Sequence, residues 1–235
     1  MVWAEHDAAA LKLMVDARLD FTTIFEEDQE LPPVFFSDIE KLTAWSKEHE
    51  LNIEALLEED ITIGYRVSGL YKGKESCWGY DKLWVQVDFD QYRKALQRQA
   101  LSTYKVSAHQ ITGVHADHII NRARLRSHPK GWVCLFPVPG HANTNFGSVI
   151  EKKLQPVAAD IERIDLSPLV AFKLFCGIYP RTESQLKSAM RDIRGMWHTP
   201  FSHVKNFIEK MESDALPFMR DRRMTVRKRP RGYSG

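Results

Sequence analysis

Gly113-Val114-His115-Ala116-Asp117-His118-Ile119-Ile120 is followed by a basic connector over 121–131. After it come the apolar run Trp132-Val133-Cys134-Leu135-Phe136-Pro137-Val138 and then Gly140-His141-Ala142-Asn143-Thr144-Asn145-Phe146-Gly147-Ser148-Val149-Ile150. In that order the segment reads as strand, loop, strand, helix. It also gathers residues suited to phosphodiester hydrolysis, which needs a base to activate water and a cation to neutralise charge on the phosphate and leaving oxygen. A neutral imidazole accepts a proton near pH 7, and side-chain oxygens suit a hard cation such as magnesium. Strand geometry restricts which residues can share a site, because neighbours on a regular strand point to opposite faces. Asp117 and His118 can meet only near a strand end or bulge; a strand that stays regular turns His115 and Asp117 the same way. Asn143 and Thr144 have a second use, since either can cap a helix beginning there, and capping is the expected role for one of them.

At Asp117-His118, Leu135-Phe136-Pro137-Val138-Pro139 and Asn143 the segment resembles the HNH, or His-Me finger, nuclease family. In that family an Asp-His or His-His pair on a hairpin is followed by a helix donating an Asn or His. The resemblance covers residues 112–154. It implies a ββα-metal core with His118 as general base, Asp117 as metal ligand and Asn143 as the helix ligand, with His141 and Asn145 competing for the last role. It also implies one Mg2+ or Mn2+ per site and a nucleic-acid substrate, DNA ahead of RNA. The chain departs from the family at Gly131-Trp132, where members often carry an Asn at the start of the second strand, so the orienting partner of the imidazole is unidentified. No cysteine pairs of a zinc knuckle flank the motif.

Composition sets the outer bounds. The chain has 235 residues, 43% hydrophobic and 27% charged, as expected of a soluble protein with one substantial core and helical additions. Cys77, Cys134 and Cys176 are widely spaced and odd in number, which argues against a disulfide framework or structural zinc and for a reducing, cytoplasmic setting. The N-terminus shows no secretory signal pattern, although release by a leaderless route stays open. No apolar run approaches the roughly 18 residues of a membrane helix, so no membrane partner is expected.

The net charge of +2 hides a division. Residues 1–60 hold sixteen acids and four bases, leaving fifteen acids and twenty-nine bases in 61–235. The basic body suits a polyanion through counterion release. The acidic head, with Glu26-Glu27-Asp28-Gln29-Glu30 as an acidic loop, reads as a solvated face, or as a surface that docks a protein partner or screens the groove. In the connector, Arg122, Arg124, Arg126, His128 and Lys130 take alternate positions, so an extended ribbon would present them on one side to phosphates. Arg222, Arg223, Arg227, Lys228 and Arg229 add a basic tail suited to non-specific nucleic-acid contact.

The remaining pattern predicts helices over 4–19 and 53–58 and another opened by a Ser37/Glu40 capping box. It predicts a hairpin from alternation at Ile61, Ile63, Tyr65 and Val67 through a turn at Lys72-Gly73-Lys74 to 83–89, and a helix over 91–101 capped by Asp90. Trp84 reads as core. Ser167-Pro168 opens a helix over 169–177, Thr182 with Gln185 caps the next, and Ser202 begins another ending near Leu216. Lys187, Arg191 and Arg194 fall on one face of the middle helix. The expected fold is therefore α+β: an acidic helical region (1–60), an α+β core (61–165), a helical region (166–218) and the basic tail (219–235). The expected function is an HNH-type endonuclease. Two other readings stand beside it: a non-catalytic nucleic-acid-binding module with a degenerate motif, and one half of a defence or toxin pair that docks its partner through the acidic head.

Overall fold

The structure, a computed structural model, describes residues 8–74, 77–176, 179–197 and 201–224, the last five as backbone only. The sheet is built on β6 (Trp132–Pro139), whose residues are buried from Val133 onward. A run with no polar face to offer water belongs inside a sheet, and β6 is paired on both sides. On one side lies β4 (Cys77–Gln86), with Leu83 opposite Leu135 and Val85 opposite Val133. Two strands share the other side. β1 (Pro33–Phe36) pairs with residues 132–133, and β5 (Val114–His118) pairs with 135–139. β4 leads on to β3 (Ile61–Lys72) and β2 (Asn52–Glu58), and β1 to β7 (Arg163–Asp165). The result is a seven-stranded antiparallel sheet in the order β2-β3-β4-β6-β1-β7, with β5 branching from β6.

Alternation on β4 puts Tyr80, Lys82 and Trp84 on one face, together with Phe136 of β6. Helix α1 (Ala8–Asp28) covers that face, its Phe21 ring 5.1 Å from Phe136. Lys82 is buried beneath α1, where Asp20 meets its Nζ at 2.6 Å and the Phe21 ring lies 5.0 Å away. A charge this deep is tolerable only with such partners. After α2 (Ile39–Glu48), helix α3 (Tyr92–Tyr104) packs on strands β2 to β6. Helix α4 (Gly140–Val149) leaves β6 directly, and α5 (Pro168–Phe175), α6 (Glu183–Met196) and α7 (Ser202–Met224) complete the chain. Phe146 of α4 meets Phe172 of α5 at 5.4 Å. Arg18 of α1 ties three elements at once, donating to the carbonyls of Met14, Leu174 and Pro137.

The α+β class holds, and several local expectations are corrected. Residues 53–58, expected as helix, belong to β2, because pairing with β3 along its length outweighs the helix preference of Glu, Ala and Leu. The acidic head is thus not purely helical: it supplies β1 and β2, and its buried side chains join the common core. Glu26, Glu27 and Asp28 end α1 rather than forming a loop, while Glu30 is held by Lys74 at 2.8 Å and by the Tyr71 hydroxyl at 3.0 Å. The N-cap of α2 is Asp38, which accepts from Lys41 N, one residue past the expected Ser37. Helix α3 has Gln91 at its N-cap with no side-chain bond, so Asp90 does not cap it. Helix α7 runs beyond Leu216 with Pro217 inside it. The caps at Ser167 and Thr182 are as expected, and Trp84 is fully buried. On α6 the basic side chains have partners: Lys187 with Glu183 and Arg191 with Ser188 on the same helix, and Arg194 with Glu212 of α7. None of the cysteines forms a disulfide. No helix among the described residues is long and apolar enough to cross a membrane.

Candidate active site

The segment over 114–149 folds as strand, loop, strand, helix: β5, a connector, β6 and α4. A cleft of about 180 Å³ opens where β5 ends. Its walls are Ala116, Asp117 and His118 of β5, Asn121 and Arg122 of the connector, Asn143 and Gly147 of α4, Glu151 just beyond it, and Tyr92 of α3.

Asp117 and His118 obey strand alternation and still share this cleft. Asp117 stands opposite Phe136, on the α1 face; His118 stands opposite Leu135 and meets Tyr92 of α3, with ring centroids 4.3 Å apart. His118 is the last residue of β5, and β5 has β6 as its one strand partner among the described residues. The cleft therefore wraps around an open strand end. His115, two residues before Asp117, is not part of its wall. Its ring lies against Gly140, where a side-chain Cβ would come within 2.6 Å of His115 Nε2.

The second half of the site comes from where α4 begins. Its N-cap is Pro139, so Asn143 and Thr144 lie inside the helix and neither caps it. Thr144 Oγ1 donates to Gly140 O, and Asn145 Nδ2 donates to His141 O. Ala142, Phe146 and Val149 take the buried stripe. Asn143, Gly147 and Glu151, at intervals of four, then run along the cleft side. Of the three candidate helix ligands Asn143 lines the cleft; His141 and Asn145 are not among its lining residues.

Burial governs the electrostatics. His118 is 6% exposed, and its Nε2 has no hydrogen-bond partner among the described residues, so packing against Tyr92 takes the place of an orienting bond. Desolvation, helped by Arg122 and Lys173, pushes the imidazole down to about 3, which keeps it neutral. Burial raises the Asp117 carboxyl to about 6, with Lys173 opposing and Glu151 reinforcing the rise. Lys173 Nζ of α5 lies 2.6 Å from Asp117 Oδ2 and 2.7 Å from Glu151 Oε1. Burial works against its charge, but the two carboxylates outweigh burial and raise its pKa. Glu151 Oε2 accepts from Asn121 Nδ2 at 3.3 Å, and Asn121 Oδ1 accepts from Ala123 N.

The connector is not an extended ribbon. Arg122–Arg124 form a 3-10 turn, and the chain beyond is pinned to residues 155–158. Arg122 is exposed and lines the cleft; Arg124 is spent on Gln155 O at 3.1 Å. His128 is buried against Phe35 and bonded to Ala158 O. Arg126 and Lys130 are exposed but outside the cleft wall. Arg222 and Arg223 lie at the end of α7, and Arg227, Lys228 and Arg229 fall outside the described residues.

Glu151 and Lys173 carry no site role in the sequence reading. A signal existed for Lys173, a single charge inside the run Val170-Ala171-Phe172-Lys173-Leu174-Phe175, which buries the ammonium and demands a partner. Glu151 lies two turns beyond Asn143 on the same side, a relation visible only once the helix start is known. Among the described residues no three His, Cys, Asp or Glu side chains form a metal cage. The donors that do converge, Asp117, Asn143 and Glu151, bring oxygen and no thiolate, a set that fits a hard divalent ion retaining most of its water. Comparison with known proteins finds no match to a family model, a curated protein or a solved structure.

Proposed function

We propose that this chain is a metal-dependent endonuclease of the HNH type, hydrolysing phosphodiester bonds, with DNA ahead of RNA as substrate. One observation carries the reading: Asp117, His118 and Asn143 line a single cleft with Arg122 at its exposed side. The neutral His118 ring takes a proton from the attacking water as that oxygen bonds to phosphorus, while the bond from phosphorus to the leaving oxygen breaks and that oxygen takes a proton from solvent. A bound phosphate brings negative charge beside the imidazole and raises its low resting basicity. Arg122 holds non-bridging phosphate oxygens through charge-assisted hydrogen bonds. Asp117 and Asn143 supply oxygens for Mg2+ or Mn2+, which when bound neutralises charge on the phosphate and on the leaving oxygen.

A second reading, a nucleic-acid-binding module without hydrolysis, is favoured by one contact: Lys173 already stands in an ion pair with Asp117 at 2.6 Å. Incubating the purified chain with supercoiled plasmid in Mg2+, in Mn2+ and in chelator separates the two. The nuclease reading predicts nicked or linear product with metal and none in chelator. Retarded migration of intact plasmid under all three conditions would establish the binding module instead.

A further inference from the structure

Helix α5 is buried over Ala171–Phe175, so Lys173 sits in an apolar segment with its charge answered only at the tip. The answer comes from two chain segments, Asp117 at the end of β5 and Glu151 beyond α4, whose carboxylates both line the cleft. Lys173 is not part of the cleft wall and reaches them from the side of α5. Arg18, donating to Leu174 O, fixes α5 next to that lysine. Beside the carboxylates, His118 keeps a buried and unpartnered Nε2 in the same wall. Paired carboxylates from separate segments and an amide on the facing helix line one cleft, and an ammonium already holds the two carboxylates.

We infer that Lys173 is a resident counter-cation that holds the Asp117–Glu151 pair in the place of a divalent ion, and that Glu151 is a second carboxylate ligand once an ion is bound. This role rests on the reading of the cleft as a metal-assisted phosphodiesterase site. In the absence of metal, two buried carboxylates facing each other would repel, and Lys173 removes that repulsion. The same positive charge opposes entry of a second cation, so Lys173 trades metal affinity for a folded metal-free state. Asn121, donating to Glu151 Oε2, holds the carboxylate while its other oxygen changes partner.

The test is Mn2+ binding by isothermal titration calorimetry on the full chain, with thermal unfolding in chelator and in Mn2+. Lys173→Met removes the competing charge at nearly constant length and should bind Mn2+ about tenfold more tightly than wild type. Its melting temperature should fall in chelator and recover in Mn2+ by more than the wild type's does. Glu151→Gln removes the proposed ligand and should bind about tenfold more weakly. A folded Lys173→Met protein with the wild-type Mn2+ affinity overturns the role of Lys173. Unchanged affinity in Glu151→Gln overturns the ligand assignment, and it decides alone if Lys173→Met does not fold. Unchanged affinities in a protein that cuts plasmid would leave the phosphodiesterase reading standing; absence of both Mn2+ binding and cutting in the wild type would remove both.

Discussion

His118 and Asp117 are adjacent in sequence, and burial moves their proton affinities in opposite directions, so they act oppositely on stability. The imidazole falls from 6.5 to about 3 on folding. Its contribution is fully present above pH 6.5 and is lost as pH drops toward 3, because the unfolded chain binds the proton better in that window. The Asp117 carboxyl rises from 3.8 to about 6, so its contribution is present below 3.8 and lost as pH climbs through 6. Replacing His118 by Gln deletes the first effect and leaves the second. At about 1.4 kcal/mol per pH unit, wild type should lose on the order of 3 kcal/mol relative to His118→Gln between pH 7 and pH 4. Urea unfolding at the two pH values measures this difference. A gap that does not change with pH would mean that the imidazole is not held neutral by burial.

At the scale of elements, the start of α4 decides the site. A helix beginning at Asn143 or Thr144 would spend one of those side chains on capping; beginning at Gly140, it turns Asn143 into the cleft. Gly140 is needed for that start, since a Cβ there would meet His115 Nε2 at 2.6 Å and Cδ2 at 2.7 Å. Gly140→Ala should therefore push α4 or the His115 ring aside, destabilise the chain by about 1–3 kcal/mol and lower any cleavage rate. The double variant His115→Ala, Gly140→Ala should recover much of both losses. Chemical denaturation and plasmid cutting follow the two effects, and no recovery would show that His115 is not what confines Gly140.

The same elements show what a sequence discloses and what it withholds. The β3–β4 hairpin, the Ser167-Pro168 start of α5 and the order strand, loop, strand, helix were legible, because local periodicity and capping chemistry specify them. β2 was not, since Asn52-Ile53-Glu54-Ala55-Leu56-Leu57-Glu58 has helix-like composition and becomes a strand through partners later in the chain. β1 is four residues long and begins on the second proline of Pro32-Pro33, and it exists because β6 and β7 flank it. Asp117, His118 and Asn143 could be named from their types and order. Glu151 and Lys173 join them through interactions between separate segments, which no local pattern carries.

Over the whole molecule, apolar side chains of residues 8–60 share one core with those of the rest of the described chain, so the charge division of the sequence does not mark two separate cores. Many bases of residues 61–235 are paired or buried, and Arg227, Lys228 and Arg229 are the densest basic run of the sequence. Changing these three to Gln should weaken duplex binding equally for all sequences. It should also flatten the plot of log affinity against log salt by up to about 0.9 for each phosphate that is no longer neutralised. A slope equal to wild type would mean that the tail neutralises no phosphates. The proposed cleavage would take place in the cleft, and the cutting rate of His118→Ala on plasmid at saturating Mg2+ tests that proposal most directly. The rate should fall by roughly 10² to 10⁴ with duplex affinity close to wild type, since the variant loses the base and keeps Asp117, Asn143 and Arg122. A folded His118→Ala protein cutting at the wild-type rate would contradict it.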